Sequence, residues 1–308
     1  MVDIFLRTLP FFAIIGLGYW AGRSRFISQD ATAYLTKFIF FFPLSALIFR
    51  VVANLPLAEI LDLRLMLGYF CGTAAIYLLA TLVALLRRQD IPTTAIEAQC
   101  AVIGNTGFLG LPMLTMLLGP GAVGPLMLVL IVDFLVFSSL VVMLINGARD
   151  GRVKLSTLKA MGLGLLRNPM IVSMVAGMIW SAQALPVPQP LNDFLSILGG
   201  AATPGALFAI GASLAGKSAE RLQIAGWLSF CKLVLHPAAV ALAVLVIFPL
   251  DPFAATVVIT AAALPVASNV YMIAQHYNAA PHRASAAILI STLVSIVSVP
   301  VVISLITG

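Results

Sequence analysis

Charged residues are scarce in this chain. Of its 308 residues, 9% are Asp, Glu, Lys or Arg and 61% are hydrophobic, and the mean hydropathy is +1.10. A soluble globular domain carries charges on about a quarter of its residues, so this composition excludes that class. The three cysteines all fall inside apolar runs and indicate small core residues rather than a disulfide framework. We therefore interpret the chain as an integral membrane protein.

Several chemical motifs are also missing. The three histidines and the few carboxylates form no metal-binding cluster in the sequence, so neither a metal nor a cofactor is predicted. The lack of G-x-x-x-x-G-K-[ST] excludes direct drive by ATP. An intramembrane enzyme is disfavoured, because there is no G-x-S-x-G elbow and no second carboxylate deep in a span beside Asp133. The net charge of +6 does not indicate nucleic acid, because the basic residues sit at helix ends and in short loops.

Apolar runs long enough to cross a bilayer fill the chain. About 20 residues span the hydrocarbon core as a helix, and we identify ten such runs. They are residues 4–22, 34–53, 65–86, 94–118, 121–146, 169–184, 194–214, 222–248, 252–275 and 284–306. The sequence therefore predicts an all-α integral membrane protein with ten transmembrane helices.

The most polar connection, residues 147–168, divides the ten spans into five plus five. Twelve Lys and Arg fall in loops on the side of this connection, and only Arg7 and Arg64 fall on the other side. Basic loops are cytoplasmic, so both termini are expected outside the cytoplasm, in a cell inner (plasma) membrane. Because five is odd, residues 1–148 and 169–308 form two repeats of opposite orientation, joined by a cytoplasmic loop at 149–168. Inverted repeats are typical of alternating-access carriers.

Two spans contain strong helix breakers. The fourth span holds Gly104, Gly107, Gly110 and Pro112, and the ninth, its counterpart after a shift of five spans, holds Pro265. In hydrocarbon an interrupted helix is tolerated only where the freed backbone groups are buried in protein or line a wet cavity. A pair of interrupted helices in corresponding positions is the best sequence indication of a transporter binding site.

Polar side chains accompany both interruptions. Asn105 and Thr106 follow Gly104, and Ser268 and Asn269 follow Pro265. The exposed N-termini of half-helices, together with these amides and hydroxyls, could hold a carboxylate. The alternative is that each Asn only satisfies backbone groups freed by the break. For Gly107 and Gly110, close packing of a crossing helix is favoured over contact with a ligand.

Ionisable residues inside spans are functional candidates by default. Asp133 lies in the middle of the fifth span and is interpreted either as a proton carrier or as a fixed hydrogen-bond partner. Lys232 in the eighth span could pair with Asp133 or contact the substrate, although snorkelling to the interface is favoured. Glu97 is assigned to the interface, and His236 is left without a role.

At these residues the chain resembles the auxin efflux carrier family, which contains plant auxin exporters and bacterial permeases for small organic acids. Asn105-Thr106 with Gly110-Leu111-Pro112 is similar to the fourth helix of plant members, and Leu264-Pro265 with 271–278 is similar to their ninth. Arg167-Asn168-Pro169 and Ile179-Trp180-Ser181 also match. Plant members have a further proline where Asn269 or Val270 stands here, so their aromatic substrate should not be assumed.

The resemblance implies a scaffold domain made of spans 1, 2, 6 and 7 and a transport domain made of spans 3–5 and 8–10. It also implies that helices 4 and 9 cross at Pro112 and Pro265, that the substrate sits beside this crossing, and that the scaffold forms a homodimer. The expected function is secondary transport of a small organic anion, auxin-like or carboxylate, by elevator-type alternating access, with proton coupling left open. The alternatives are a sodium-coupled symporter with the fold of bile-acid transporters and a non-transporting receptor or channel.

Overall fold

The computed structural model describes residues 2–55, 62–150, 168–183, 185–216 and 222–307, with backbone only at 2–4, 150 and 307. Six of the basic residues used to predict orientation lie outside these ranges: Arg152, Lys154, Lys159, Arg167, Lys217 and Arg221. The same holds for most of the predicted cytoplasmic loop at 149–168. Within the described ranges every regular element is helical, which confirms the all-α class.

The helices are numbered here in chain order. They are α1 (Val2–Arg23), α2 (Gln29–Ala53), α3 (Leu63–Leu86), α4 (Ile91–Val102), α5 (Thr106–Leu118), α6 (Pro120–Arg149), α7 (Pro169–Ala182), α8 (Gln189–Leu214), α9 (Leu222–Ile247), α10 (Pro252–Ala262), α11 (Ser268–His276) and α12 (Pro281–Thr307).

Seven of these helices, α1, α2, α3, α6, α8, α9 and α12, are long and apolar enough to cross a membrane, and α5, α7 and α10 are shorter apolar helices. Every predicted span contains helix, and the fourth and ninth each consist of two helices: α4 with α5, and α10 with α11. The chain is thus a multi-pass membrane protein by the length and composition of its helices. Ten complete crossings remain a prediction.

The side chains that project outward from the bundle are apolar, as a lipid-facing surface requires. Leu78 and Leu82 on α3 are 67% and 54% exposed, and Ile197 on α8 is 80% exposed. A soluble monomer rarely exposes an apolar surface of this kind. The exposure therefore agrees with the membrane interpretation drawn from composition.

The helices pack as two groups, and each group contains helices from both halves of the sequence. In the first, α1 packs against α8, and α2 packs against α7 and α8. In the second, α3 packs against α4 and α9, α4 against α6, and α9 against α12. Fewer contacts join the groups, chiefly between α1 and α12 and between α8 and α5.

Glycines allow α1 and α8 to approach closely. A Cβ placed on Gly18 would overlap the backbone carbonyl of Phe208, and one on Gly211 would overlap the carbonyl of Ile15. Because neighbouring helices in lipid gain little from burying apolar area, small residues that bring backbones together supply much of the attraction. The interface between α1 and α8 is built in this way.

We expect Gly18→Ala to lower the melting temperature of the purified protein, because the new methyl group collides with a backbone carbonyl that cannot move alone. Gly16→Ala on the same helix is the matched control, since nothing lies within 4 Å of its Cβ position. Alanine favours a helix by about 0.5–1 kcal/mol over glycine, so the control should be neutral or slightly stabilising. The melting temperature of each variant is measured by heating samples and then determining the remaining folded protein by gel filtration. Equal melting temperatures for the two variants would show that the interface is not tightly packed.

Candidate functional site

The two interrupted helices meet and pair through their backbones. Residues 103–105 separate α4 from α5, and residues 263–267 separate α10 from α11. The Asn105 N–H donates to the Pro265 carbonyl at 2.8 Å, and the Ala267 N–H donates to the Ile103 carbonyl at 3.0 Å. Gly104 and Val266 therefore form an isolated antiparallel bridge. We call residues 103–105 and 265–267 the helix crossing.

A third and a fourth helix supply further hydrogen bonds to the crossing. The Val266 N–H donates to the Ser291 Oγ of α12 at 3.0 Å, and the Lys232 ammonium of α9 donates to the Ala262 carbonyl at the end of α10. A methyl group on Gly104 would lie 3.3 Å from Lys232 Nζ. Several of the backbone groups freed by the interruptions are thus bound by protein, as hydrocarbon surroundings demand.

The crossing lies elsewhere than the resemblance implied for one of the two helices. Pro265 is part of it, but the first helix crosses at Gly104, and Pro112 lies further on in the first α-helical turn after a π-helical turn at Thr106–Gly110. The π turn follows directly after the crossing. In it the N–H groups of Leu109 and Gly110 both donate to the Asn105 carbonyl. Pro112 is buried but does not mark the crossing.

The N-termini of α5 and α11, which start at the crossing, carry no side-chain cap. A side-chain oxygen caps five other helices: Ser28 for α2, Asp62 for α3, Asp90 for α4, Asn168 for α7 and Asp251 for α10. The starts of α6 and α8 have no side-chain cap either. The first N–H groups of a helix have no acceptor within the helix. The first donors of α5 and α11 therefore have no side-chain acceptor in the helix cap.

Some of the polar residues that the sequence predicts at the binding site have side-chain atoms without a hydrogen-bond partner among the described residues. Thr106 Oγ1 and Asn269 Oδ1 are buried and make no hydrogen bond within the described residues. The Asn105 side chain is 6% exposed and also has no hydrogen bond to a described residue. Burying an unpaired polar group costs about 1–3 kcal/mol. A bound ligand or water that hydrogen-bonds to these atoms would recover this free energy.

The three glycines of the fourth span lie close to other residues. A Cβ on Gly110 would collide with Leu264 Cδ1, next to the crossing, and one on Gly107 would lie 3.1 Å from Met170 Cε on α7. The Phe108 ring stacks on Phe40 of α2, with centroids 5.7 Å apart. The start of α5 is therefore one of the places where the two helix groups touch.

Asp133 is 2% exposed and opens a π-helical turn, Asp133–Ser138, within α6. The Tyr69 hydroxyl of α3 donates to Asp133 Oδ1 at 2.8 Å. Asp133 Oδ2 is buried and has no partner among the described residues. Asp133 thus makes a fixed hydrogen bond to α3, and its proton-carrier role stays a prediction.

Snorkelling of Lys232 is wrong. Lys232 has no exposed surface, because it lies in a π-helical turn, Cys231–Leu235, and points into the protein. Besides the Ala262 carbonyl, its ammonium contacts His236 Nδ1 at 3.1 Å, and His236 Nε2 lies 3.0 Å from Thr73 Oγ1 on α3. No ion pair between Lys232 and Asp133 is formed within the described residues.

Glu97, which the sequence assigned to the interface, lies inside the protein close to the ends of several helices. Glu97 is 1% exposed and forms ion pairs with Arg87 and Arg283. Arg149 likewise donates to the Tyr277 carbonyl and lies over the Tyr277 ring at 5.6 Å. Arg87 and Arg283 thereby connect the ends of α3 and α12 to α4. Arg149 connects the end of α6 to the end of α11. These contacts hold the second helix group together.

Sequence reasoning missed Tyr69, Thr73, His236 and Ser291. Each is a polar residue inside an apolar run, which was the available signal, but hydroxyl groups in membrane helices are common and often bond their own backbone. Only the packing of α3, α9 and α12 shows that Tyr69 contacts Asp133, that Ser291 contacts the crossing, and that His236 contacts Lys232. Thr73 contacts His236. No group of three or more His, Cys, Asp and Glu able to hold a metal occurs in the described ranges.

Apolar helices that break and pair inside the bundle are typical of membrane transport proteins. The family model described as "Membrane transport protein" matches residues 3–303, and the chain therefore belongs to that family, the auxin efflux carriers. It is a family of transporters and not of enzymes.

Two curated relatives are similar over nearly their whole length. The "Putative malonate transporter" of Rhizobium meliloti (strain 1021) is 31% identical over 305 residues, covering 97% of this chain and 94% of the relative. The "Uncharacterized transporter YfdV" of Escherichia coli (strain K12) is 25% identical over 302 residues, covering 95% of this chain and 94% of the relative.

We expect Lys232→Met to destabilise the protein by about 1–3 kcal/mol, because it leaves the buried Ala262 carbonyl and His236 without their donor. Lys37→Met is the matched control, since Lys37 is an exposed lysine on α2. The shift in melting temperature of each purified variant is the measurement. An unchanged melting temperature for Lys232→Met would mean that its ammonium does not stabilise the crossing.

Proposed function

We propose that this chain is a secondary carrier of a small organic anion that binds at the helix crossing. The observation that carries the proposal is the pair of uncapped helix N-termini at the crossing, next to the unpaired Thr106 Oγ1 and Asn269 Oδ1. Free N–H donors and the positive end of a helix dipole favour an anion. Asn105, Thr106, Ser268 and Asn269 then supply the side-chain contacts, beside Pro112 and Pro265.

The substrate class follows from the chemistry of the crossing. Amides, hydroxyls and backbone N–H groups suit the oxygens of a carboxylate. The Lys232 ammonium beside Gly104 adds a positive charge near the same place. The name of the Rhizobium meliloti relative supports a dicarboxylate as the first compound to test.

The proposed architecture is ten transmembrane helices in two inverted repeats, residues 1–148 and 169–308, joined by a cytoplasmic loop at 149–168. The two packing groups support the division into a scaffold of spans 1, 2, 6 and 7 and a transport domain of spans 3–5 and 8–10. The excess of basic residues in alternate loops supports termini outside the cytoplasm, in an inner membrane. The outward-facing surface of the scaffold is proposed to form a homodimer.

Transport by an elevator-type motion is proposed because the two groups differ in how firmly they are held. The Glu97 and Arg149 contacts tie the second group together, whereas the first group meets α5 through the Phe40–Phe108 stack and the Met170–Gly107 contact. Apolar side-chain contacts can slide at lower cost than buried ion pairs can break. The second group would therefore move as one body and carry the crossing with it.

The first test is charge movement by purified protein in liposomes on a solid-supported membrane, with malonate, malate, short monocarboxylates and indole-3-acetate. We expect a saturable current for one acid. Asn105→Ala should reduce the apparent affinity roughly ten- to hundredfold, as the loss of hydrogen bonds worth about 1–3 kcal/mol predicts. Asn54→Ala is the control, because Asn54 is exposed at the end of α2 and away from the crossing.

Other outcomes decide between the alternatives. A full current in Asn105→Ala would place the binding site elsewhere. A rate that does not saturate would indicate a channel, and a current that requires sodium would indicate the sodium-coupled symporter. Folded protein that shows neither current nor uptake of any radiolabelled acid would favour the receptor.

Proton coupling through Asp133, with Lys232 as its neighbouring cation, has its own test. Asp133→Asn keeps the size of the side chain but cannot carry a proton, so we expect it to abolish the dependence of transport on a pH gradient. Tyr69→Phe is the companion variant, since it removes the hydrogen bond to Asp133 but leaves the carboxyl group. Uptake at opposite pH gradients is measured for both. An unchanged dependence in Asp133→Asn would discard this role.

A further inference from the structure

Five buried polar side chains form a row inside the second helix group, from Asp133 on α6 to Lys232 beside the helix crossing. The Tyr69 hydroxyl of α3 donates to Asp133 Oδ1 at 2.8 Å. At the other end, His236 Nδ1 of α9 lies 3.1 Å from the Lys232 ammonium, and His236 Nε2 lies 3.0 Å from Thr73 Oγ1 of α3. Each of the five side chains is at most 2% exposed. The row therefore lies wholly inside the protein.

Tyr69 and Thr73 join the two ends of the row. They are four residues apart on α3, which places both on one face of the helix, and a side-chain hydrogen bond links their hydroxyl groups. The Tyr69 ring also meets the His236 ring edge-on, with centroids 5.9 Å apart. Hydrogen bonds thus run without a gap from Asp133 to Lys232.

The chemistry of each group fixes the direction of these hydrogen bonds. An ammonium only donates, so Lys232 donates to His236 Nδ1, and the neutral imidazole then carries its proton on Nε2. That Nε2–H donates to the Thr73 hydroxyl, Thr73 donates to Tyr69, and Tyr69 donates to Asp133. Every donor therefore points from the ammonium toward the carboxylate.

The Lys232 end of the row faces the helix crossing. Of the three N–H groups of its ammonium, one donates to His236 and one to the Ala262 carbonyl at the end of α10. The third has no acceptor among the described residues, and Nζ lies 3.3 Å from the Cβ position of Gly104 in the crossing. An anion bound at the crossing would therefore lie close to a free donor of Lys232.

Neither end of the row has a counter-ion within the described residues, because the ion pairs there involve neither Lys232 nor Asp133. The other titratable side chains buried on the helices packed here hydrogen-bond to no member of the row: Tyr77, Glu97, Cys100 and Cys231. A buried charge without a partner of opposite sign is strongly destabilising. Without a ligand, the protein is therefore more stable when both ends of the row are neutral.

We propose that this row is a proton-transfer chain, in which Tyr69, Thr73 and His236 carry one proton between the Lys232 ammonium at the crossing and the Asp133 carboxylate. The inference rests on the proposed function, because an anion at the crossing decides which end of the chain holds the proton. Ionisable residues inside membrane spans serve as proton relays in transporters. The chain lets Asp133 and Lys232 act together although they form no ion pair.

One transfer moves four protons, each across one hydrogen bond. Lys232 gives a proton to His236 Nδ1, and the ring gives its Nε2 proton to Thr73. Thr73 gives its hydroxyl proton to Tyr69, and Tyr69 gives its own to Asp133 Oδ1. The imidazole and the two hydroxyls stay neutral, so the net change is the conversion of one ammonium and one carboxylate into an amine and a carboxylic acid. No other reactant takes part.

An anion at the crossing reverses the transfer, because its negative charge stabilises the ammonium of Lys232. The loaded protein then holds a charged Lys232 and a charged Asp133, and the empty protein holds both in the neutral form. The second helix group therefore returns without a substrate and without two unpaired buried charges.

The test follows the Asp133 carboxyl group by infrared difference spectroscopy of the full chain in liposomes. The band of a protonated carboxyl group that is missing in Asp133→Asn identifies it. After a pH jump, in a buffer without carboxylic acids, we expect Thr73→Val to slow the response of this band by about tenfold or more. A positioned group that passes on a proton contributes about 10²–10⁴-fold to a rate, and valine has the shape of threonine without its hydroxyl.

Thr73→Ser keeps a hydroxyl and should respond at the wild-type rate. Thr81→Val controls for the substitution itself, because Thr81 lies further along α3 and donates to the Tyr77 carbonyl of its own helix. His236→Gln is a second chain variant, since an amide forms hydrogen bonds but does not pass a proton between two ring nitrogens. It should slow the response as well, and it replaces Thr73→Val if that variant does not fold. Equal rates in wild type and the chain variants, or a band that never responds to pH, would overturn the proposal.

Addition of malonate at constant pH separates the chain from the proposed transport function. We expect malonate to remove the Asp133 carboxyl band in wild type and in Thr73→Ser, and to remove it about tenfold or more slowly in Thr73→Val. Calorimetry on the same samples measures binding. Malonate that binds without changing the band would overturn the chain and leave the carrier. A chain that passes the pH-jump test in protein that neither binds nor transports any acid would stand while the proposed transport function fails.

Discussion

The structure depends on one constraint: a backbone N–H or C=O group in hydrocarbon must have a partner within the protein. Where α4 and α10 stop, that requirement is met by exchange between the two breaks, from Asn105 to Pro265 and from Ala267 to Ile103. Each interruption is therefore stable only in the presence of the other. Two further groups, the Val266 N–H and the Ala262 carbonyl, are bound by Ser291 and Lys232, which brings α9 and α12 to the crossing.

Electrostatics at the crossing follows from the same constraint. Half-helices that begin inside the membrane direct uncapped N–H donors at one place, and the ammonium of Lys232 lies close by. Lys232 can remain buried because the Ala262 carbonyl and the His236 imidazole accept hydrogen bonds from its ammonium group. His236 in turn contacts Thr73. A site of this kind offers positive potential and hydrogen-bond donors.

Two helix groups of different internal cohesion explain how such a site could be exposed in turn to either side. Ion pairs of the buried Glu97 join α3, α4 and α12, and close glycine contacts join α1 to α8. Between the groups lie the Phe40–Phe108 stack and the contact of Met170 with Gly107. Firm contacts within each group and adaptable ones between them are what relative movement requires.

The sequence alone determined the membrane class, the apolar runs and the positions of both interruptions, because hydropathy and helix breaking are local properties of a segment. It also drew attention to Asn105, Asn269 and Asp133 as polar residues in apolar surroundings. The tertiary structure decided that the crossing is at Gly104 rather than Pro112 and that Lys232 and Glu97 are buried. These features depend on which distant residues supply a hydrogen-bond partner or cover a side chain. The spacing of residues along one helix does not determine which other helices pack against it.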